Sequence, residues 1–267
     1  MELSIIIVNY NSKADTDRCI QKIFQYSPHV SFEIIVVDNH STDGSMPYLK
    51  ERWENRDEVR FLESPVNRGF GQACNLGIQA SYSTYIAILN PDIEVRKGTL
   101  DILVQYLKTH PKTALVGPQL LYEDGTVQDS YRTFPHIFDI IIKRTWLKKI
   151  PIFRQRIKKY LLWEKDKNKC EPVDWLVGAF WVMKREVIEK IGLFDPRYFL
   201  FFEDVDLCRR MKMGGYDVVY NPQSKATHHH ERLSAGGIKE IFTKKTVRIH
   251  IISAIQYFWK WAWKKKT

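Results

Sequence analysis

The chain contains 267 residues, of which 44% are hydrophobic and 27% are charged. This length fits one large α/β domain or one domain with a substantial appendage, and we find no internal repeat or low-complexity segment. The formal net charge of +10 predicts attraction to polyanions, namely nucleic acid, an anionic membrane surface or phosphorylated substrates, without choosing among them.

Cysteine usage and the first residues indicate the compartment. The four cysteines are scattered, with no Cys-x-x-Cys pair and no Cys/His spacing typical of zinc. This pattern argues against a disulfide framework or structural zinc and favours free thiols in a reducing cytoplasm. Residues 1–4 lack a basic region, and the apolar run at 5–8 is too short for a signal peptide, so we interpret it as a strand.

The first half of the chain has the pattern of a parallel sheet. Two β-branched runs at 4–9 and 33–37 are separated by a helix-like stretch at 15–26, which predicts a βαβ unit. Two further strands are predicted at 85–89 and 114–118. Polar residues end the first three strands, and ligands of doubly wound sheets bind beyond the carboxyl ends of strands, which predicts a nucleotide-type site. Alternatively, these residues end strands only because they form turns.

The loops after these strands carry candidate nucleotide-binding groups. Asp38 ends the second strand, and the turn-forming residues at 39–45 would hold its carboxylate at the sheet edge, where it can accept from a base N–H or a ribose hydroxyl. The segment 67–75 supplies glycines for close backbone approach, a cation for phosphate and amides for hydrogen bonding.

A candidate metal site follows the third strand. Pro91 sets a turn that directs Asp92 outward, and Mg²⁺ needs only one or two protein ligands when diphosphate oxygens supply the rest. His228 is a candidate distal ligand, although a neutral imidazole suits Mn²⁺ better than Mg²⁺. The three adjacent histidines at 228–230 also fit a solvated or structural cluster.

The acidic pair Glu203 and Asp204 follows the aromatic run at 198–202. Apolar surroundings oppose the charged form of a carboxylate and raise its proton affinity, which turns it into a general base. The alternative is an ordinary helix start, where acids are favoured by the helix dipole.

Two segments combine bulky apolar residues with Lys and Arg. We interpret the first, 136–169, as a basic helical insertion or lid. The second is a basic aromatic tail at the C-terminus, too short and too interrupted to span a bilayer. Aromatic residues beside lysines suit a membrane interface, although a terminal helix packed on the domain or on a second subunit has the same pattern.

Five segments together resemble the successive motifs of family-2 glycosyltransferases with the GT-A fold. They are SIIIVNYNS at 4–12, VVDNHSTDG at 36–44, NRGFG at 67–71, LNPD at 89–92 and FEDVDL at 202–207. The start of the first motif and the Asn-Pro-Asp form of the fourth are similar to bacterial rhamnosyltransferases of O-antigen, capsule or cell-wall polysaccharide synthesis. Galactofuranosyl and other deoxysugar transferases have similar motifs.

The resemblance implies an α/β fold with a Rossmann-like, mostly parallel sheet flanked by helices, and basic amphipathic C-terminal helices. It implies a catalytic domain at 1–230, with a nucleotide-sugar-binding half at 1–95 and an acceptor-binding half at 96–230. Residues 231–267 would form the tail.

The resemblance also implies roles for particular residues. Asp204 would be the catalytic base, with Glu203 orienting it or contacting the sugar, and Asp92 and His228 would hold Mg²⁺ or Mn²⁺. The usual metal motif has an aspartate where this chain has Asn90, so Asn90 is assigned to sugar or ribose. Further donor-binding residues would be Asn9, Asn11, Asp38, Asn67, Arg68, Gly69 and Asn75. The sugar and acceptor pocket would be lined by Gly178, Ala179 and Trp175, the last as a stacking face.

The implied activity is an inverting transfer of L-rhamnose from dTDP-L-rhamnose to a saccharide acceptor linked to polyprenyl diphosphate. UDP-galactofuranose or a UDP-hexose is the alternative donor, and a non-catalytic scaffold is the alternative function. Expected partners are the nucleotide-sugar donor, a lipid-linked or oligosaccharide acceptor and an anionic membrane touched peripherally from the cytoplasm. Alternatively, the tail would contact a second subunit in a homodimer. We expect no nucleic-acid partner.

Overall fold

The computed structural model describes residues 1–144, 150–229 and 244–262. Within them, one sheet of nine strands has the order β3-β2-β1-β4-β10-β6-β11-β5, with β8 paired to β11, and β7 and β9 form a separate two-stranded sheet. The strands are β1 Leu3–Asn9, β2 Phe32–Asp38, β3 Val59–Glu63, β4 Tyr85–Leu89, β5 Ile93–Val95, β6 Thr113–Leu121, β7 Tyr131–Arg132, β8 Glu171–Val173, β9 Trp175–Leu176, β10 Phe180–Lys184 and β11 Asp217–His228.

Helices cover both faces of the main sheet. In chain order they are α1 Lys13–Gln25, α2 Ser45–Trp53, α3 Phe70–Ala80, α4 Thr99–Thr109, α5 Ile137–Arg144, α6 Pro151–Tyr160, α7 Arg185–Ile191, α8 Glu203–Met213 and α9 Lys245–Ala262. One large apolar cluster packs α3, α8 and α9 on one face, and a second packs α1 and α4 on the other. Burial of the β-branched strands between these layers is the main source of stability.

The N-terminal half of the sheet is parallel. Strand β1 pairs in parallel with both β2 and β4, which aligns Asn9 with Asp38 and Ile7 with Leu89. The four strands predicted at 4–9, 33–37, 85–89 and 114–118 are confirmed, and so is the helix between the first two. The carboxyl ends of β1, β2 and β4 therefore lie side by side, as the sequence predicted.

The second half of the sheet is mixed. Strand β10 runs antiparallel between β4 and β6, while β11 is parallel to β6 and antiparallel to β5. Phe180 and Trp181 are buried in β10. The pairing of β11 with β5 places the end of β11 beside the strand that follows Asp92.

The basic insertion contains α5 and α6, which share a small apolar core of Ile142, Ile157, Tyr160 and Leu161. Thr133 donates from its backbone N–H to the Tyr160 carbonyl at 3.1 Å, which joins the end of α6 to the strand β7. Residues 145–149 of the predicted insertion lie outside the described residues.

The C-terminal helix α9 packs one face on the domain. Val247, Ser253, Ala254, Tyr257 and Trp261 are its buried residues. The opposite face exposes Ile252 at 55%, Ile255 at 63% and Trp259 at 69%. None of the helices in the described ranges is long and apolar enough to cross a membrane. The rest of the predicted tail, 231–243 and 263–267, lies outside them.

Candidate active site

Asn9 and Asp38 form a buried pair at the ends of β1 and β2. The Asn9 side-chain amide donates to Asp38 Oδ1 at 2.7 Å, and the backbone N–H of Ser41 donates to Asp38 Oδ2 at 2.9 Å. Thr16 donates from its hydroxyl to the Asn9 carbonyl oxygen at 2.8 Å. These contacts fix the Asp38 carboxylate at the sheet edge.

Asn11 locks the loop after β1 to the loop after β2. Its backbone is left-handed, with φ of 51°, a conformation that asparagine tolerates better than most residues. The Asn11 side-chain oxygen accepts from the Thr42 backbone N–H at 2.8 Å, and its own N–H donates to Ser41 Oγ at 2.9 Å. The two predicted donor loops therefore form one hydrogen-bonded unit.

The loop before α3 is tied to the same unit. Asn39 donates from its side-chain amide to Asn67 Oδ1 at 3.0 Å and accepts from the backbone N–H of Arg68 at 3.3 Å. The same Asn67 oxygen accepts from the Gly69 N–H at 2.9 Å. The Arg68 side chain is exposed at this edge, where its charge can reach a bound anion.

Gly69 allows the loop before α3 to pack against the segment that precedes α8. Its φ is +90°, and a Cβ at this position would lie 1.9 Å from the Phe199 carbonyl oxygen. The next residue, Phe70, donates from its backbone N–H to that oxygen at 3.0 Å. Only glycine satisfies both the backbone conformation and the close approach.

Two predicted site residues have structural roles. Asn75 donates to the Phe194 carbonyl at 2.8 Å and accepts from the Phe194 N–H at 2.9 Å, so its amide ties α3 to the segment after α7 and is not directed at a donor. Trp175 is 5% exposed and donates from Nε1 to the Thr133 carbonyl at 2.8 Å. Because Trp175 is buried in β9, the expectation of a stacking face for a sugar is corrected.

Asp92 and His228 are brought together although 136 positions separate them in the sequence. Strand β11 pairs with β5, which places His228 opposite Ile93, and His228 Nε2 lies 3.4 Å from Asp92 Oδ2. The other carboxylate oxygen, Asp92 Oδ1, is buried with no hydrogen-bond partner among the described residues.

Gln128 orients the His228 ring. Its side-chain amide nitrogen donates to the His228 carbonyl at 2.9 Å, which leaves its oxygen to face His228 Nδ1 at 2.9 Å. Because an amide oxygen only accepts, Nδ1 carries a proton, and Nε2 is the ring nitrogen on the Asp92 side. Nε2 and the Asp92 carboxylate are the two types of ligand atom that would hold a cation between them.

The site fits a divalent cation with few protein ligands. No cluster of three or more potential metal-ligating side chains occurs in the part of the chain that the structure describes. Asp92 and His228 supply one carboxylate and one imidazole, which suffices where diphosphate oxygens complete the coordination. Mn²⁺ accepts both ligand types.

His229, the neighbour of His228, has a different environment. Its backbone N–H donates to the Asp92 carbonyl at 3.0 Å, and its ring lies 2.9 Å from Glu94 and 2.5 Å from Glu123. Burial disfavours the charged ring, but the hydrogen bonds to the two carboxylates outweigh burial and raise the pKa of His229. His229 therefore fits the structural alternative, and His230 lies outside the described residues.

The acidic pair begins helix α8. Phe201 and Phe202 both have φ of 67°, a strained conformation for aromatic residues. Glu203 is buried, near Gly71 of α3, and its Oε2 has no partner among the described residues. Burial and the neighbouring Asp204 charge raise the pKa of Glu203 well above its usual value.

Asp204 faces the segment between β9 and β10. Its Oδ2 accepts from the Gly178 backbone N–H at 3.2 Å and its Oδ1 from the Val205 N–H at 2.8 Å. Burial raises the pKa of Asp204, while these two N–H groups and the Arg132 charge oppose the rise. The two N–H groups favour the ionised form of Asp204, whereas Glu203 Oε2 has no partner among the described residues that would favour its ionised form.

One short segment links the two predicted functional groups. Ala179 accepts from the Asn90 backbone N–H at 2.8 Å, and Gly178 donates to Asp204. Asn90, two residues before Asp92, therefore contacts Ala179, and the adjacent residue Gly178 contacts Asp204.

Three important features were not predicted from the sequence. Gln128 and Arg132 lie in a loop and a two-residue strand that have no periodicity. Asp206, two residues after Asp204, is fully buried and accepts from Arg210 at 2.9 Å, Lys260 at 2.8 Å and Trp261 at 2.9 Å. These contacts hold α9 on α8.

The comparisons with known proteins agree with this architecture. A family model described as glycosyl transferase family 2 matches residues 4–192. The chain belongs to this family. Among solved structures, the family-2 chain is similar to GalNAc-T7 with UDP, GalNAc and Mn²⁺, with a TM-score of 0.67, 17% identity and coverage of 97% of this chain and 49% of that chain. It is also similar to the mannosyltransferase PcManGT from Pyrobaculum calidifontis with GDP-Man and Mn²⁺, with a TM-score of 0.65, 18% identity and coverage of 100% and 65%. These likenesses show the GT-A fold.

Curated relatives of this family-2 chain include two named rhamnosyltransferases. The N-acetylglucosaminyl-diphospho-decaprenol L-rhamnosyltransferase of Mycobacterium tuberculosis is 27% identical over 244 residues, covering 85% of this chain and 76% of the relative. The rhamnosyltransferase WbbL of Escherichia coli K12 is 26% identical over 265 residues, covering 95% and 91%. The chain is thus a glycosyltransferase of family 2 with rhamnosyltransferase-like relatives.

Proposed function

We propose that this protein transfers L-rhamnose from dTDP-L-rhamnose to a saccharide linked to polyprenyl diphosphate, with inversion at the anomeric carbon. One observation carries the proposal of catalysis: the segment at 177–179 contacts both the strand end before Asp92 and the Asp204 carboxylate. The segment has a cation-binding group on one side and the partly buried Asp204 carboxylate on the other. This placement suits a transfer in which one bond breaks and another forms between the two groups.

The rhamnosyl donor is supported by the names of the two relatives, and the lipid-linked acceptor by the name of the mycobacterial one. UDP-galactofuranose or a UDP-hexose remains the alternative donor, because the same fold accommodates several nucleotide sugars. We divide the chain as the motifs suggest, with the donor bound by residues 1–95 and the acceptor by residues 96–230.

In the proposed reaction, Asp204 accepts the proton of the acceptor hydroxyl. That oxygen attacks the anomeric carbon, the bond from this carbon to the diphosphate oxygen breaks, and the nucleoside diphosphate leaves with the electron pair. We assign the proton of the pair to Glu203, whose pKa is raised by burial and by the Asp204 charge, so that Asp204 carries the negative charge. The Gly178 N–H holds the Asp204 carboxylate in place for the transfer.

The nucleoside diphosphate would be held by the N-terminal half. Asp38 would accept from the base, with Asn9, Asn11, Asn67 and Gly69 shaping the loop edge around it. The exposed Arg68 would pair with phosphate, and Asn90 would contact the sugar or ribose. A cation held by Asp92 and His228 would neutralise charge on the leaving diphosphate.

The acceptor would enter over Gly178, which leaves room beside Asp204, whereas the predicted pocket residue Ala179 is buried in the apolar cluster with α1 and α4. A Cβ on Gly178 would lie 3.1 Å from the Asp204 Cβ, so a larger residue would displace the base. The insertion with α5 and α6 lies on this side, since α6 is joined to β7 through Thr133 and Tyr160. We propose that it covers the bound acceptor and excludes water, which would otherwise hydrolyse the donor.

We further propose that α9 contacts the inner face of the cell membrane. Ile252, Ile255 and Trp259 form an outward apolar stripe at helical spacing. The basic residues Lys245 and Arg248 stand at the helix start on the exposed side. An apolar stripe with flanking cations is the pattern of interfacial helices, which insert apolar side chains and attract anionic lipid.

The donor assignment is tested by calorimetric binding and by donor hydrolysis with dTDP-L-rhamnose, UDP-galactofuranose, UDP-glucose and GDP-mannose, each with Mg²⁺, Mn²⁺ or chelator. We expect selective, cation-dependent use of dTDP-L-rhamnose. Selectivity for another nucleotide sugar would contradict the rhamnosyl donor and keep the glycosyl transfer. Failure to bind any nucleotide sugar would favour the scaffold alternative.

The membrane assignment is tested by co-sedimentation with vesicles of phosphatidylglycerol and of phosphatidylcholine. We expect binding to the anionic vesicles that Ile255→Glu weakens. Tyr82→Glu is the control, because Tyr82 is also an exposed apolar residue but lies outside α9. Equal binding by both variants would contradict the role of α9. A dimer in solution that Ile255→Glu dissociates would assign the stripe to a second subunit.

A further inference from the structure

Arg132 is held next to the proposed base without a carboxylate partner of its own. Strand β7 pairs with β9 so that Arg132 lies opposite Trp175, and its guanidinium carbon is 5.2 Å from the centre of the Trp175 ring. Its Nη2 is 3.5 Å from the Asp129 carbonyl oxygen, at the limit of a hydrogen bond. Within the described ranges, no Asp or Glu forms an ion pair with it, and its Nε is buried with no hydrogen-bond partner.

A buried guanidinium N–H without an acceptor is costly, because the group has lost water and gained nothing in return. The Trp175 ring gives the guanidinium above it a cation–π contact but no hydrogen-bond acceptor. Trp175 is itself fixed by its bond to the Thr133 carbonyl. Arg132 Nε is therefore a hydrogen-bond donor with no acceptor among the described residues, and a bound anion would supply one.

Arg132 lies between Asp204 and the insertion. Its positive charge acts on the Asp204 carboxylate and opposes the rise in the pKa of Asp204 that burial causes. On the other side, burial raises the pKa of the Tyr160 hydroxyl, and the neighbouring guanidinium opposes that rise as well. Tyr160 ends α6, so Arg132 stands where the insertion meets the acceptor side of the site.

We propose that Arg132 binds the diphosphate of the lipid-linked acceptor. This inference rests on the proposed function. In an acceptor of this class, the diphosphate is attached to the same sugar whose hydroxyl Asp204 would deprotonate, so an anion-binding group is required one sugar ring from the base. Arg132 meets this requirement from the insertion side, whereas the donor diphosphate is assigned to Asp92, His228 and Arg68. The planar guanidinium can contact two phosphate oxygens at once.

The test compares two acceptors with the full-length chain. One is N-acetylglucosaminyl diphosphate on a phenoxyundecyl chain, and the other is octyl N-acetylglucosaminide, which lacks the diphosphate. We expect Arg132→Gln to raise KM for the first acceptor about 10- to 100-fold, the range for losing a hydrogen-bonded charge. At a pH on the plateau above the acidic limb, both kcat/KM for the second acceptor and KM for the donor should stay unchanged. Arg132→Lys should recover part of the loss.

If Arg132→Gln lowers kcat/KM equally for both acceptors, Arg132 only packs on Trp175 and the proposal is overturned. A rise in KM for the nucleotide sugar would also overturn it, because Arg132 would then bind the donor. A second measurement keeps this result separate from the proposed function. If the wild-type chain transfers rhamnose to neither acceptor, the proposed function is contradicted. Calorimetric binding of inorganic pyrophosphate, with saturating dTDP present, then still tests whether Arg132 binds a diphosphate. Weaker pyrophosphate binding by Arg132→Gln supports the anion site, and unchanged binding overturns it.

Discussion

The backbone N–H of Gly178 donates a hydrogen bond to Asp204 Oδ2 at 3.2 Å. A Cβ atom added to Gly178 would lie 3.1 Å from the Asp204 Cβ. The proposed base is therefore positioned by a residue whose missing side chain leaves it room. This contact also stabilises the ionised carboxylate in a buried environment.

Substitution of Gly178 by Ala should disturb catalysis more than folding. The new methyl group would push Asp204 away from the acceptor by a few tenths of an ångström, and small displacements of a catalytic group reduce the rate strongly. We expect kcat to fall about tenfold or more, with the melting temperature changed by only a few degrees. Steady-state kinetics and calorimetry measure the two effects. An unchanged kcat would show that the Gly178–Asp204 contact does not position the base.

Asp204→Asn should remove turnover and preserve donor binding. The amide cannot accept the proton from the acceptor, and a missing general base typically costs about 10²- to 10⁴-fold in rate. Glu203→Gln is the matched control, because a residue that is already neutral loses no charge, and we expect a smaller effect. Initial rates and donor dissociation constants are the readouts. A larger loss for Glu203→Gln than for Asp204→Asn would reverse the assignment within the pair.

The rate should depend on pH through Asp204. Its pKa is raised from the usual value of 3.8 by burial, so the carboxylate that accepts the proton is lost as the pH falls through this higher value. The acidic limb of kcat/KM should therefore lie above the limb of an exposed aspartate. Arg132→Gln, with the octyl acceptor, should move this limb to still higher pH because a favourable charge is removed. A limb below pH 3.8 in the wild-type protein would be inconsistent with a buried base.

Gln128→Leu should weaken cation binding without touching a ligand atom. Leucine cannot accept from His228 Nδ1, so the ring loses the bond that directs Nε2 at Asp92, and changes of this type cost about 10- to 100-fold in metal affinity. Mn²⁺ binding with dTDP present is followed by electron paramagnetic resonance. Gln119→Leu is the control, since Gln119 is equally buried but bonds to Lys167 and Tyr220. Equal affinities in the two variants would argue against orientation by Gln128.

Lys260→Met should destabilise the protein through α9. Lys260 Nζ contacts both Asp195 and Asp206 at 2.7 Å, and removal of one member of a buried ion pair costs about 3 kcal/mol. Urea unfolding gives the free energy. Lys245→Met, at an exposed position of the same helix, should change it by less than about 0.5 kcal/mol. A comparable effect of the two substitutions would mean that the α9–α8 contact contributes little.

The strands and the acidic pair were readable from local pattern. The β-branched runs at 4–9, 33–37 and 85–89 predicted β1, β2 and β4, because these strands are buried on both faces and so have continuous apolar sequences. The polar residues after them meet at one sheet edge for the same geometric reason. His228 was a candidate ligand of the Asp92 site because of its chemistry, but no local pattern placed the two residues side by side.

Other contacts depend on tertiary placement and have no local signal. Trp175 lies in a two-residue strand, too short for alternation to distinguish a buried face from a pocket. Gln128 acts on a histidine 100 positions away. Asp206 looks like any helical acid until α9 supplies Lys260, because its burial depends on a helix that follows it by about 40 residues.

The anomeric configuration of the product tests the central claim most directly. Wild-type protein is given dTDP-L-rhamnose and N-acetylglucosaminyl diphosphate on a phenoxyundecyl chain, and the new linkage is examined by nuclear magnetic resonance before any secondary reaction. One displacement assisted by Asp204 predicts a rhamnoside with the configuration opposite to that of the donor. A rhamnoside with the donor's configuration would require two displacements or a different mechanism, and would contradict the role of Asp204 as the base of a single inverting transfer.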